Sequence, residues 1–318
     1  MKHYLVKYRQ KKACVCNSFE PKGKTGKKLL GNGCTLYHDI SYGSRFPNGF
    51  LDIYAQPDAG DKGYCTYFYI HGGGYALGDK TDGDPNAKGD DHDWFFLEFM
   101  KAGYNIVSVN YALAPEYFYP TPIIQIGEAV KFLKAYGLEY GIRTDRIIMG
   151  GGSAGGQLAG QFVNIQTNAA YAEEMGMKAV LNRGDIKAVL FNSALLDNER
   201  FGKTDSAAIN FLFIRCGRAY FNSRKLSGNQ RVIQSDVIKN VTEEFPPSFL
   251  SDGNLGSFTD QNRDLTKRLS QLHVKNVLNI YSKTEAKLGH AFEFMGDKYG
   301  RENLKKMLDF LEELGVNQ

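Results

Sequence analysis

The run Arg146-Ile-Ile-Met149-Gly-Gly-Gly-Ser153-Ala154-Gly155 reads as a β-strand, a sharp corner and the start of a helix. Glycines two before and two after the serine let the chain turn tightly enough to hold the hydroxyl above a sheet. Ser153 becomes an exposed nucleophile at a helix N-terminus, where the dipole and free N–H groups favour developing negative charge. The Ala154 N–H points to where an oxyanion would form. The competing reading of Gly150–Gly155 is a phosphate-binding turn. It lies mid-chain, which argues against a dinucleotide-binding turn.

A second glycine cluster, His71-Gly72-Gly73-Gly74, follows the apolar run Thr66–Ile70. Consecutive glycines let backbone N–H groups approach a ligand oxygen, and acyl transfer needs two or three such donors on its tetrahedral oxyanion. His71 reads as the residue that orients this loop. Of the six histidines, His290 alone follows the last strand, in a loop at the sheet's C-terminal edge, which makes it the expected base.

With Asn110-Tyr-Ala-Leu-Ala-Pro-Glu116 and Leu288-Gly-His290-Ala-Phe292, these motifs resemble, in order, those of the hormone-sensitive-lipase-like branch of the α/β-hydrolases, over about residues 36–312. The resemblance implies Ser153 as nucleophile, Gly73, Gly74 and Ala154 as oxyanion donors, and His290 as base. It implies hydrolysis of a small-molecule carboxylic ester without metal or organic cofactor; the aromatics of residues 197–245 and Tyr75 leave no long acyl tunnel, so small to medium acyl groups are expected. A carbohydrate deacetylase or amidase-type hydrolase is the alternative within enzymes, and a non-catalytic ligand-binding protein the alternative outside them.

The acid departs from the family. An ungapped alignment through Pro246-Pro247 and the helix from Asp264 to Leu269 puts Gly256 where the family carries its catalytic Asp. Asp252, which ends a strand before Gly253, is the favoured replacement. Asp260, Asp197 and a site with no direct acid stay open. Ser257-x-x-Asp260 reads as a variant capping box for the following helix.

These residues must be positioned by a scaffold. Short apolar runs at Thr66–Ile70, Asn105–Val109, Arg146–Met149, Ala188–Asn192, Ser248–Ser251 and Val277–Tyr281 alternate with helical patterns, which predicts an α/β fold with a mostly parallel sheet. Two alternating segments, 36–42 and 49–54, precede them as an antiparallel pair. One helix puts Ile123, Ile126, Val130 and Leu133 on one face; the last carries Leu304, Met307, Leu311 and Leu314 and stops at Gly315. Residues 197–245 exceed what one crossover needs, so they are expected to form a lid or substrate wall. The chain reads as a basic arm over 1–34 and an α/β-hydrolase domain over 35–318.

The 318 residues carry a formal charge of +4, with 42% apolar and 23% charged residues. No apolar stretch nears the ~18 residues of a membrane span. Residues 1–34 hold eight Lys, Arg9 and only Glu20, so the rest is mildly acidic. With no nucleic-acid-reading motif, the arm reads as a solvated extension. The N-terminus lacks a secretory apolar region and the five cysteines lack a disulfide framework, so a cytoplasmic protein with reduced thiols is expected, and homo-oligomerisation is left open. Asp79–Asp93, with six aspartates, echoes a calcium loop but has Ala87 for the required Gly; it reads as a solvated loop ahead of a helix.

Overall fold

The computed structural model describes residues 3–23, 25–59, 63–81 and 93–316. Among the described residues nine strands form one sheet: β1 Gly26–Leu29, β2 Thr35–Ser41, β3 Phe50–Ala55, β4 Thr66–Ile70, β5 Asn105–Val109, β6 Ile147–Gly152, β7 Ile186–Asn192, β8 Ser248–Ser251 and β9 Asn276–Asn279. Their order is β1-β2-β3-β5-β4-β6-β7-β8-β9. β1 to β3 are antiparallel, as is the β3–β5 pair, and every pair from β5 to β9 is parallel. Parallel strands end on the same edge, and the order reverses on either side of β4. The loops after β4, β6, β8 and β9 therefore converge there.

Strands β3 to β8 are buried on both faces, as their unbroken apolar runs require. Tyr67 and Tyr69 of β4 pack with Trp94, Phe96 and Phe99 of α2 (Asp93–Lys101) and with Leu304, Met307 and Leu311 of α10 (Lys298–Glu313). Phe68 and Ile70, on the opposite face, join Ile123, Ile126, Val130 and Leu133 of α3 (Thr121–Tyr136), and Leu158 and Phe162 of α4 (Ala154–Thr167). Leu265 and Leu269 of α9 (Thr259–Gln271) extend that second layer toward β8 and β9. The period-2 alternation of β4 thus feeds two helical layers.

The N-terminal residues differ from the solvated extension expected of them. Tyr4–Lys12 is a helix, α1, which buries Val6 and Gln10. Gln10 Nε2 donates to the carbonyls of Ala76 and Ala114, 2.9 and 2.8 Å away. Gly26–Leu29 is the sheet's outer strand. Its Lys27 and Lys28 suit an edge, since charged side chains there discourage pairing with another chain. A high lysine content hid both elements because their contacts use few apolar residues. Within the acidic loop, Asp79 pairs with Lys22 and accepts from Asn110 Nδ2, and Lys80 Nζ lies 3.0 Å from Asp39 and from Asp52. The calcium-like stretch Asp82–Asn86 lies outside the described residues.

Residues 197–245 carry a 3₁₀ turn (Asn198–Arg200), α6 (Ala207–Tyr220), α7 (Gln230–Gln234) and α8 (Val237–Asn240), with α5 (Ala169–Glu174) preceding β7. Phe201, Phe213, Tyr220, Phe221 and Val232 are buried, and α6 packs against α1. Replacing Gln10 with Ala leaves two buried carbonyls unpaired, so urea denaturation should show a loss of about 1–3 kcal/mol; a solvated arm would show none.

Candidate active site

The strand-to-helix corner takes a shape few residues tolerate. Ser153 has φ 52° and ψ −116°, a strained backbone for a residue with a side chain. Its N–H donates to the Asn192 carbonyl at 2.8 Å, which ties the corner to β7. A Cβ on Gly151 or Gly155 would stand 2.2 or 2.0 Å from the Ile70 carbonyl oxygen. The G-x-S-x-G spacing is therefore a packing requirement: only glycines let the end of β4 pass this close to the corner. The close approach sets the glycine loop beside the serine.

Ser153, Gly72, Gly73 and Gly74 line one pocket of about 280 Å³, together with Leu212, Phe213 and Cys216 of α6, His290, Phe294 and Arg9. Ala154 starts α4 directly behind the serine. Among the described residues, no acceptor is assigned to the N–H groups of Gly73, Gly74 or Ala154. His71 is buried and turned to its own loop, with Nδ1 2.8 Å from the Gly72 carbonyl and its ring stacked on Tyr111. Tyr75 stacks on Tyr220 at 3.8 Å and donates to Gln157 and Asn198, which fixes the loop's far end to residues 197–245.

His290 Nε2 lies 2.9 Å from Ser153 Oγ. The rings of Phe213 and Phe258 meet the imidazole edge-on at 5.1 and 5.3 Å. Burial lowers the imidazole's pKa to about 4, so it is neutral at pH 7. The loops after β8 and β9 are laced together by Asn254, which donates to the carbonyls of Tyr281 and Ala286 and accepts from the Leu288 N–H.

Among the described residues no carboxylate touches His290. Its Nδ1 lies 2.8 Å from Ser257 Oγ, and Ser257 Oγ in turn donates to Asp252 Oδ1. Asp252, the expected acid, is fully buried but stands one hydroxyl away from the ring. The reason lies in the loop: Ser257, five residues on, folds between them. The capping-box reading of Ser257 is corrected too, since α9 is capped by Phe258 without a side-chain bond. Asp260 and Asp197 both pair with Arg200, away from the imidazole. Gly256 has φ +61° and donates its N–H to Asp205; a Cβ there would face Ser206 and Ile209. Position 257, not 256, faces the histidine.

Sequence reasoning missed two further groups. Glu293, fully buried, accepts from the hydroxyls of Ser193 and Ser251. Burial pushes the Asp252 carboxyl up to about 7 and the Glu293 carboxyl up to about 8, the latter raised further by Asp252. Arg9, from the segment expected to be solvated, reaches the pocket lining. Neither residue belongs to a motif; only the three-dimensional arrangement brings them in. Among the described residues no cluster of His, Cys, Asp and Glu could hold a metal ion.

A strand–corner–helix serine on a central parallel sheet, facing a histidine from the loop after the last strand, defines an α/β-hydrolase fold. The model of the BD-FAE family matches residues 51–269, more than half the chain, and the chain belongs to that family. Solved structures agree on the fold: esterase B of Lactobacillus rhamnosis superposes with a TM-score of 0.72 at 19% identity, over 98% of this chain and 92% of that one. A Pyrobaculum calidifontis esterase does so with a TM-score of 0.65 at 19% identity, over 88% and 86%. In sequence, the chain is 24% identical over 283 residues to "Probable carboxylic ester hydrolase LipM" of Mycobacterium tuberculosis, covering 88% of this chain but 62% of that protein. It is 38% identical over 95 residues to the arylacetamide deacetylase of Oryctolagus cuniculus, 29% of this chain and 22% of the relative. The chain thus spans less than two thirds of the length of these relatives.

The raised carboxyls have a stability consequence. The native state keeps protons that the unfolded chain releases from about pH 4.5, so stability is fully present at low pH and falls as pH rises toward 8. Glu293→Gln, which mimics the protonated acid, should raise the melting temperature relative to wild type at pH 8 and much less at pH 5. Asp252 leaves a residual slope of the same sign. Thermal unfolding across that range measures the difference.

Proposed function

We propose that the chain hydrolyses carboxylic esters through an acyl-enzyme on Ser153. The observation that carries this reading is the 2.9 Å contact between Ser153 Oγ and His290 Nε2 on the wall of a pocket that the glycine loop also lines. The relatives' names support it, as does the family.

In this reading His290, neutral and buried, accepts the Ser153 proton as Oγ attacks the ester carbonyl. The carbonyl oxygen becomes an oxyanion, bound by the N–H groups of Gly73, Gly74 and Ala154 at the N-terminus of α4. Collapse expels the alcohol, which takes the proton from His290. A water then enters, gives its proton to His290 and releases the acid, restoring Ser153. The strained backbone at Ser153 holds the hydroxyl ready, so little motion is needed before attack.

A pocket of about 280 Å³ lies at the low end of ligand-site volumes, which favours small to medium acyl groups. Residues 197–245 act as its wall, since Leu212, Phe213 and Cys216 of α6 line it. Amide deacetylation is the second reading, favoured by the name of the rabbit relative. We assign the site to one α/β-hydrolase domain over 35–318. Five free cysteines support a reducing, cytoplasmic setting, and among the described residues no helix is long and apolar enough to cross a membrane.

Hydrolysis of p-nitrophenyl acetate should fall about 10⁴-fold or more in Ser153→Ala, because nucleophile and base act as a unit. Equal turnover by the variant would overturn the reading. p-Nitrophenyl butyrate should exceed the palmitate ester in kcat/KM, and the reverse order would remove the small-acyl assignment.

A further inference from the structure

We propose that Ser257 is the positioning residue of this site: its hydroxyl, held by Asp252, fixes the tautomer of His290 in place of a directly bonded carboxylate. The inference rests on the reading of His290 as the base for Ser153.

A serine hydroxyl has one hydrogen to give. Ser257 gives it to Asp252 Oδ1, because an ionised carboxylate can only accept. The Ser257 oxygen then has only lone pairs left for His290 Nδ1, 2.8 Å away, so Nδ1 must carry the ring's proton. That leaves Nε2 bare, facing Ser153 Oγ as an acceptor. A neutral imidazole with the opposite tautomer would present an N–H to the serine and could not take its proton.

Asp252 is held for this task. Asn262 Nδ2 donates to its Oδ2 at 3.1 Å, beside the hydrogen that Ser257 gives to Oδ1. These donors favour the ionised acceptor that the relay requires. The titratable groups near Asp252 are His290, through Ser257, and Glu293, whose carboxyl its charge raises. Like charges buried this close do not both ionise readily. Glu293, whose carboxyl sits higher, is still protonated where Asp252 begins to ionise, so the charge falls on Asp252 first.

A pH response follows. When Asp252 takes up a proton it becomes a donor, the Ser257 hydroxyl turns to give its hydrogen to Nδ1, and the tautomer reverses. Activity should then fall on the acid side near the Asp252 titration, about pH 7, instead of near pH 4, where the buried imidazole itself charges. Asp252→Asn imposes the reversed state permanently: its carbonyl oxygen meets the Asn262 amide, so its own amide faces Ser257 and donates.

The test is kinetic and spectroscopic, on the full chain. Ser257→Ala and Asp252→Asn should each lower kcat for p-nitrophenyl acetate by roughly 10²- to 10⁴-fold with KM little changed, and the double variant should lose no more than the worse single. Ser257→Thr, which keeps the hydroxyl, should recover most of kcat. In ¹⁵N NMR at pH 8, wild-type Nε2 of His290 should be unprotonated, and Asp252→Asn should carry the proton on Nε2. Ser257→Ala within about threefold of wild-type kcat, or an unchanged His290 tautomer in Asp252→Asn, would overturn the proposal. Ser153→Ala separates the two claims. If it abolishes turnover while Ser257→Ala does not, the nucleophile stands and the relay falls. If wild type shows no Ser153-dependent turnover, the esterase reading falls and the NMR tautomer still decides the relay.

Discussion

The approach of the Ile70 carbonyl to the corner at Gly151 and Gly155 is the constraint on which the rest of the site depends. Two strands that end side by side, β4 and β6, bring their following loops within bonding range only if nothing larger than hydrogen sits at those two positions. Given that contact, the glycine loop after β4 faces the serine after β6 with no further adjustment. The Tyr111 hydroxyl, bonded to the His71 carbonyl, and the Tyr75–Tyr220 stack then fix the loop from the other side. A packed core transmits position with little give, so the donors and the nucleophile share one rigid frame.

The same sheet edge gathers an unusual load of buried polar groups. Ser193 after β7 and Ser251 at the end of β8 donate to Glu293 after β9, and beside them Asp252 is joined through Ser257 to His290. Two carboxyls removed from water in one cluster are costly unless one stays neutral. Serine hydroxyls suit such a cluster because each can turn and serve as donor or acceptor as its neighbours demand. That adaptability lets Glu293 be neutral and Asp252 charged side by side, and it explains why so many partners of these carboxyls are hydroxyls.

The parts of this arrangement that repeat along the chain were legible before any coordinates. Continuous apolar runs marked β4 to β8 to within a few residues, because a strand covered on both faces admits little else. The corner glycines declared themselves because a steric need at fixed spacing leaves a fixed spelling. Ser257 did not, since a serine ahead of a helix has a sufficient local explanation as a cap. Only the tertiary placement of His290 shows that its hydroxyl is engaged elsewhere. The N-terminal helix escaped for a related reason: its anchors are one valine and one glutamine whose acceptors lie 66 and 104 residues away.

A relay through a hydroxyl differs in kind from a direct carboxylate. A carboxylate bonded to Nδ1 both fixes the tautomer and places a full negative charge beside the imidazolium that forms during attack. With Ser257 between, the tautomer is still fixed, but the charge of Asp252 stands one residue farther off and is felt through a polarised O–H dipole. The buried surroundings offset part of that loss, because in a low dielectric a charge acts over a longer distance than in water. The imidazole of such a site is correspondingly harder to protonate, in keeping with its depressed pKa. A weaker base has a stronger conjugate acid, so such a histidine loses more in accepting the serine proton than in returning it to a leaving group.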